Sequence, residues 1–313
     1  MKGQTGLRSL ALLYISPLYI LERLPLKLSA PDTLVVRGSF IVPTEPLYPS
    51  ITMVQTNLEV VDDTLHLPRI LCLHGGGSNA AIFQAQCRRL IAQLRSEFRF
   101  VFAQAPFLSD AEPNVMSVYS QWGPFRRWLR WCPDHPEIRP EDAIRAIDDC
   151  LEDVKRQDDA KGATGAWVGL LGFSQGAKMC ASLLYRQQIR QELRGRSFAG
   201  SDYRFGVLLA GRAPLVSLDP DLDLNSSLPD VSQITDAKYH GPSQDVLRIP
   251  TVHVHGMRDP HVDLHRQLFE EFCAPESRRL VEWDGDHRVP LKYNDVSLVA
   301  YQIRELATQT GAP

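Results

Sequence analysis

From residue 68 onward, short runs of consecutive apolar residues alternate with longer stretches whose apolar positions recur every three or four residues. The first kind reads as buried strands: Ile70–Leu73, Phe98–Ala103, Ala166–Phe173, Phe205–Leu209, Thr251–Val254 and Arg279–Trp283. The second kind reads as amphipathic helices: Ala80–Glu97, Glu141–Gln157, Ala177–Ile189, Val262–Phe272 and Tyr293–Leu306. Pro140 sits where the second of these should begin, a position that tolerates its missing N–H. Strands that are apolar throughout, each followed by a helix, imply a largely parallel sheet with helices on both faces, an α/β fold.

Two stretches interrupt the alternation. Phe107–Pro136 is rich in aromatics and prolines, and Arg212–Arg248 is rich in Asp, Ser and Pro. Both follow strands, so both belong at the end of the sheet where open α/β folds bind ligands. The first is expected to be a lid over an apolar pocket. Three of the five tryptophans lie in it, and Trp122, Phe125 and Trp128 are the expected substrate contacts. Arg126, Arg127 and Arg130 are interleaved with them, a cationic cluster suited to an anionic carrier. The second stretch reads as a surface loop. Residues 1–68 form an N-terminal extension of uncertain order before an α/β domain at 69–313.

The chemistry concentrates in three places. Gly172-Phe173-Ser174-Gln175-Gly176 is a G-x-S-x-G between a predicted strand and a predicted helix, the context of a nucleophile elbow. A serine hydroxyl needs a base and the base needs an orienting acid. In such a fold they follow in the order serine, acid, histidine. Asp259, just past the strand Thr251–Val254, and His287, just past the strand ending at Trp283, satisfy that order. Asp263, Asp284 and Asp286 compete for the acid's place. His74-Gly75-Gly76-Gly77, after the first strand, offers backbone donors for an oxyanion: Gly76 is chosen, with Gly77 second, and the amide of Gln175 is its partner. His253 and His255 form an HxH, and His261 and His265 an i, i+4 pair. Neither spacing matches a zinc-protease motif, so no metal site is expected.

Composition excludes more than it selects. The net charge of −3 lacks the basic surplus that binding a phosphate backbone requires, so nucleic acid is not an expected partner. The six cysteines include no C-x-x-C and read as reduced thiols, which suits a cytoplasmic protein. Ser9–Leu21 is a charge-free apolar run interrupted by Pro17. It is too short to span a bilayer, which takes about 20 residues. Behind a basic start it resembles a signal peptide without a good cleavage site, so secretion or membrane association is the alternative.

Four motifs come in a familiar order: Leu71-Cys72-Leu73-His74-Gly75 with Asn79, Gly172-Phe173-Ser174-Gln175-Gly176-Ala177, Gly256-x-x-Asp259-x-x-Val262, and Gly285-x-His287-x-Val289-Pro290. Together they resemble the serine hydrolase FSH family of the α/β-hydrolase fold, which includes stand-alone thioesterases and esterases of fungal polyketide clusters, of the lovastatin-cluster type. The resemblance covers about Arg69–Leu306. It implies Ser174 as nucleophile, Asp259 as acid, His287 as base, and no metal or organic cofactor. It implies as substrate a small acyl ester or thioester of polyketide type, with an acyl carrier protein of a polyketide synthase as the candidate carrier. Gly76 departs from the family, which commonly has a bulky residue there. A general carboxylesterase or short-chain lipase is the alternative enzyme, and a non-catalytic ligand receptor on the same fold is the alternative from another class.

Overall fold

A computed structural model describes residues 62–219, 221, 228–234 and 245–312. The apolar run at 9–21 and most of the N-terminal extension lie outside the described residues, as do 220, 222–227 and 235–244 of the second long stretch. Among the described residues no helix is long and apolar enough to cross a membrane.

In chain order the elements are β1 (Arg69–Leu73), α1 (Ala80–Gln86), α2 (Arg88–Leu94), β2 (Arg99–Ala103), β3 (Phe107–Ser109), α3 (Pro113–Tyr119), β4 (Phe125–Arg127), α4 (Pro140–Ala160), β5 (Trp167–Phe173), α5 (Gln175–Arg194), β6 (Phe205–Leu209), β7 (Thr251–Gly256), α6 (Val262–Phe272), β8 (Arg278–Trp283) and α7 (Tyr293–Gln309). Six strands form one sheet in the order β2-β1-β5-β6-β7-β8, and every pairing in it is parallel. This is the α/β-hydrolase arrangement. β1 and β6 are buried at every position because helices cover both faces. One apolar cluster joins α4 and α5 to one face, and another joins α1, α2 and α7 to the other.

The predicted helix over residues 80–97 is two helices. Cys87, with φ −80° and ψ 0°, ends the first and opens the second. Its amide still bonds Phe83 O, while its fully buried side chain packs among Phe83, Leu90 and Leu94. The break turns both apolar pairs, Ile82/Phe83 and Leu90/Leu94, toward the sheet.

The stretch 107–136 has structure of its own. β3 and β4 form a small antiparallel ladder with α3 between them. It is tied down by backbone bonds: Gly77 N–H to Arg126 O, Arg126 N–H to Ser78 O, and Glu112 N–H to Gly77 O. Asn79 adds side-chain bonds to Trp122 O and Pro124 O while capping α1 through Ile82 N–H. The described parts of 212–248 are not a mere surface loop either, since Leu215, Val216, Leu218, Val231 and Leu247 are buried in the core. Nor does the folded unit begin at residue 69. Thr164 N–H bonds Leu65 O, and Asp62 and Thr64 bond Arg99, so 62–68 belong with the sheet.

Candidate active site

Ser174 occupies the turn between β5 and α5 with φ 52° and ψ −115°, a conformation that L-residues rarely adopt. Its amide is fixed by Leu209 O at 2.8 Å. The flanking glycines are there for space: a Cβ at Gly172 would lie 2.3 Å from Gly176 O, and one at Gly176 would lie 2.0 Å from Leu73 O. The sharp turn lifts the hydroxyl out of the sheet and directs the first turn of α5 beneath it.

The hydroxyl oxygen of Ser174 is 2.9 Å from Nε2 of His287, and Nδ1 of His287 is 2.5 Å from Oδ2 of Asp259. The three residues arrive from the carboxyl ends of β5, β7 and β8, so the strand order of the sheet brings together positions far apart in sequence. Asp259 is buried, and its other oxygen accepts the His261 N–H at 2.9 Å. Burial raises its pKa, but the hydrogen bonds from His287 and His261 outweigh that and hold the carboxyl at about 2. The competing acids are elsewhere: Asp263 faces Arg266, Asp284 pairs with Arg258 and Asp286 with Arg288, all at exposed positions.

Two segments border the cavity beside the serine, the start of α5 and the loop after β1. Gln175 begins α5. Its side chain is locked away from the reaction, with Oε1 accepting from the amides of Trp128 at 2.7 Å and Leu129 at 3.1 Å and Nε2 donating to Leu129 O. In the loop after β1, Gly77 N–H is spent on Arg126 O. Gly76 therefore remains as the glycine of that loop lining the serine's cavity. His74 fixes the loop from below. Its Nε2 accepts from Ala105 N–H at 3.1 Å, so Nδ1 carries the proton and donates to Gly75 O at 2.7 Å. Burial lowers its pKa to about 4, so the ring stays neutral.

The cavity over Ser174 has a volume of about 270 Å³. Its wall includes Gly76, Leu129, Trp131, Gln175, Lys178, Arg212 and His287, with Asp110 and Glu112 at another side. None of the three aromatics expected as substrate contacts lines it. Trp122 is exposed and packs edge-on with Tyr119. Phe125 sits in β4 opposite Ser109. Trp128 is fully buried, and its indole N–H bonds His74 O at 2.9 Å, so it supports the loop from the core side. The aromatic that reaches the cavity is Trp131. The arginines do not form one surface. Arg127 is buried against the ring of Phe107, Arg126 bonds Ala105 O and Pro106 O, and only Arg130 borders the cavity.

One neighbour of the trio had no sequence signal beyond its pairing with His261. His265, wholly buried on α6, directs Nε2 to within 3.6 Å of Asp259 Oδ2. Burial depresses its pKa to about 3 against the pull of that carboxylate. Asp259, His265 and His287 offer ligand atoms within 4.8 Å of one another. The HxH residues His253 and His255 each meet Phe269 edge-on.

Comparison with known proteins shows which family the chain belongs to. The model of the family "Serine hydrolase (FSH1)" matches residues 64–299. The protein named esterase claE of Penicillium crustosum is 66% identical over 256 residues, spanning 80% of this chain and 96% of its own. Esterase pigG of Monascus ruber is 53% identical over 259 residues, spanning 80% of this chain and 95% of its own. Among solved structures, the Bacillus cereus carboxylesterase aligns with 78% of this chain and 91% of its own, at 13% identity and a TM-score of 0.44.

Proposed function

The chain belongs to the serine hydrolase (FSH1) family and is an ester-cleaving hydrolase; from that premise we propose that it works through an acyl-enzyme formed on Ser174, with His287 as base and Asp259 as orienting acid, and that its substrate is an acyl ester or thioester of polyketide type. The observation that carries this reading is the unbroken chain Ser174 Oγ–His287 Nε2–His287 Nδ1–Asp259 Oδ2, at 2.9 and 2.5 Å.

In this mechanism Ser174 Oγ attacks the acyl carbonyl as His287 Nε2 takes its proton. The oxygen of the tetrahedral intermediate is assigned to the backbone amides of Gly76 and Gln175, which border the same cavity as Ser174. His287 returns the proton to the departing alcohol or thiol, then removes one from a water that attacks the acyl-enzyme and frees the acid. Asp259 keeps Nδ1–H of His287 in place and stabilises the imidazolium. The neutral tautomer of His74 and the indole of Trp128 hold the donor loop still.

The test pairs a mutation with a substrate panel. Wild type should hydrolyse matched acyl thioesters and oxygen esters, and Ser174→Ala should hydrolyse neither. Turnover of either by purified Ser174→Ala would remove the mechanism. Hydrolysis of oxygen esters alone would restrict the substrate to esters.

A further inference from the structure

Trp131 and Gly76 meet inside the cavity. A Cβ built on Gly76 would stand 2.7 Å from Cζ3 and 3.1 Å from Cε3 of the Trp131 indole, and 3.2 Å from Gln175 Oε1. Gly76 is not among the residues with positive φ, so its backbone lies outside the left-handed region that favours glycine. A side chain there would meet the indole first, at 2.7 Å, and Gln175 Oε1 next, at 3.2 Å. The ring has a neighbour of its own. It meets the edge of His135 with centroids 4.5 Å apart and planes at 87°, and Gln175 Oε1 beside it is held by two amides. Both Gly76 and Trp131 border the cavity together with Ser174 and His287.

We propose that Gly76 and Trp131 are a size-complementary pair that sets acyl specificity, the indole forming a rigid wall beside the reacting carbonyl that admits planar aromatic or conjugated acyl groups and rejects those branched at the carbon next to the carbonyl. This rests on the reading of Ser174 as nucleophile. Trp131 borders the same cavity as Ser174 and lies against Gly76, so an acyl group bonded to Ser174 with its oxygen toward the Gly76 amide would extend beside the indole. A flat conjugated group can lie along an aromatic surface and gain from the contact. A tetrahedral branched carbon needs more width, and the indole is already in T-shaped contact with His135. Misfit of one or two methyl groups in a packed pocket discriminates by roughly 10–200-fold.

The experiment measures kcat/KM for p-nitrophenyl cinnamate and p-nitrophenyl pivalate with wild type, Gly76→Ala, Trp131→Ala and the double variant. Wild type should prefer cinnamate by more than tenfold beyond the ratio of their spontaneous hydrolysis rates, and Trp131→Ala should bring that preference down by about tenfold or more. Gly76→Ala should lose about tenfold or more on both esters because the ring must move, and adding Trp131→Ala should return activity to the level of Trp131→Ala alone. An unchanged cinnamate-to-pivalate ratio in Trp131→Ala overturns the proposal, and so does an equal loss from Gly76→Ala in both backgrounds. If Gly76→Ala does not fold, the ratio in Trp131→Ala and in Trp131→Phe, expected between Trp131→Ala and wild type, decides it. Cinnamate hydrolysis surviving in Ser174→Ala would instead remove the serine reading, an outcome separate from any change in ratio.

Discussion

At the amino ends of β1 and β2, buried charge is paired; at the carboxyl ends of the same sheet, several buried titratable groups are not. Arg69 and Arg99 are register partners at the first positions of their strands. Asp158, near the end of α4, bonds both, with Arg99 Nη2 at 2.7 Å and Arg69 Nη1 at 3.4 Å. Asp62 and Thr64 accept from Arg99 Nη1, while Arg69 donates to Asp159 through Nη1 and to Gly165 O through Nε. At the other end, neither ring nitrogen of His255 or His265 has a hydrogen-bond partner among the described residues, although both rings are buried. The first end is built as removing any one partner would be costly. The second keeps neutral imidazoles around a single carboxylate, Asp259, whose one strong side-chain bond goes to His287. Pairing at the bottom secures the fold, and at the top Asp259 accepts the His261 N–H on one oxygen and bonds His287 with the other, His265 Nε2 standing outside hydrogen-bond distance at 3.6 Å.

Mutations at the two ends should therefore separate activity from stability. The largest effect belongs to the top: Ser174→Ala or His287→Ala should lower kcat by on the order of 10⁶, and Asp259→Asn by roughly 10⁴ through the wrong imidazole tautomer. Ester hydrolysis by the purified variants checks this, and Ser174→Ala should unfold at the same urea concentration as wild type. If Asp263→Asn proves the damaging change and Asp259→Asn the mild one, the acid has been misassigned.

The bottom should show the reverse. Asp158→Ala removes the buried carboxylate shared by two guanidinium groups, leaving each with a single, more exposed acid, and should cost about 3 kcal/mol in urea unfolding, with kcat of the folded fraction within about twofold of wild type. A comparable fall in kcat would mean the two ends are coupled.

Acid should find the top before the bottom. Burial lowers the pKa of His74 and His255 to about 4 and of His265 to about 3, and that of His253 well below its ordinary value. The unfolded chain binds these protons near pH 6.5 and the folded chain does not. Stability is therefore full above that pH and declines as pH falls toward 4, each histidine contributing roughly 1.4 kcal/mol per unit. The urea midpoint measured between pH 7.5 and 4.5 should fall steadily, and less steeply in His265→Gln. A flat profile would contradict the neutral, buried state of these rings. The smallest effect should come from chelation: exhaustive dialysis against EDTA is expected to leave turnover unchanged, since His287 Nδ1 is committed to Asp259. Activity lost on dialysis and restored by zinc would reassign Asp259, His265 and His287 as metal ligands.

What sequence reveals follows the same division. The parallel sheet was legible because its strands are apolar at consecutive positions and its helices carry a clean period. Ser174 was legible because Gly172 and Gly176 mark a turn where no Cβ fits, and Asp259 and His287 because each follows a strand in the expected order. The hairpin at 107–136 was not, since strands of three residues carry no periodic signal and its bonds run to Gly77, Ser78 and Asn79, far away in sequence. For the same reason Trp128 and Trp131 could not be told apart from composition: one points into the core and the other into the cavity. The contact between Gly76 and Trp131 is likewise visible only once both loops are folded.

The central claim is that this chain's ester hydrolysis passes through Ser174 held by His287 and Asp259, and covalent trapping reads it directly. Wild type treated with a fluorophosphonate should lose activity in proportion to the label it takes up, to one label per chain, with the adduct on the peptide containing Ser174. His287→Ala should label far more slowly and Ser174→Ala not at all. A label on any other residue that accompanies loss of activity, or full labelling of Ser174→Ala, would contradict the account.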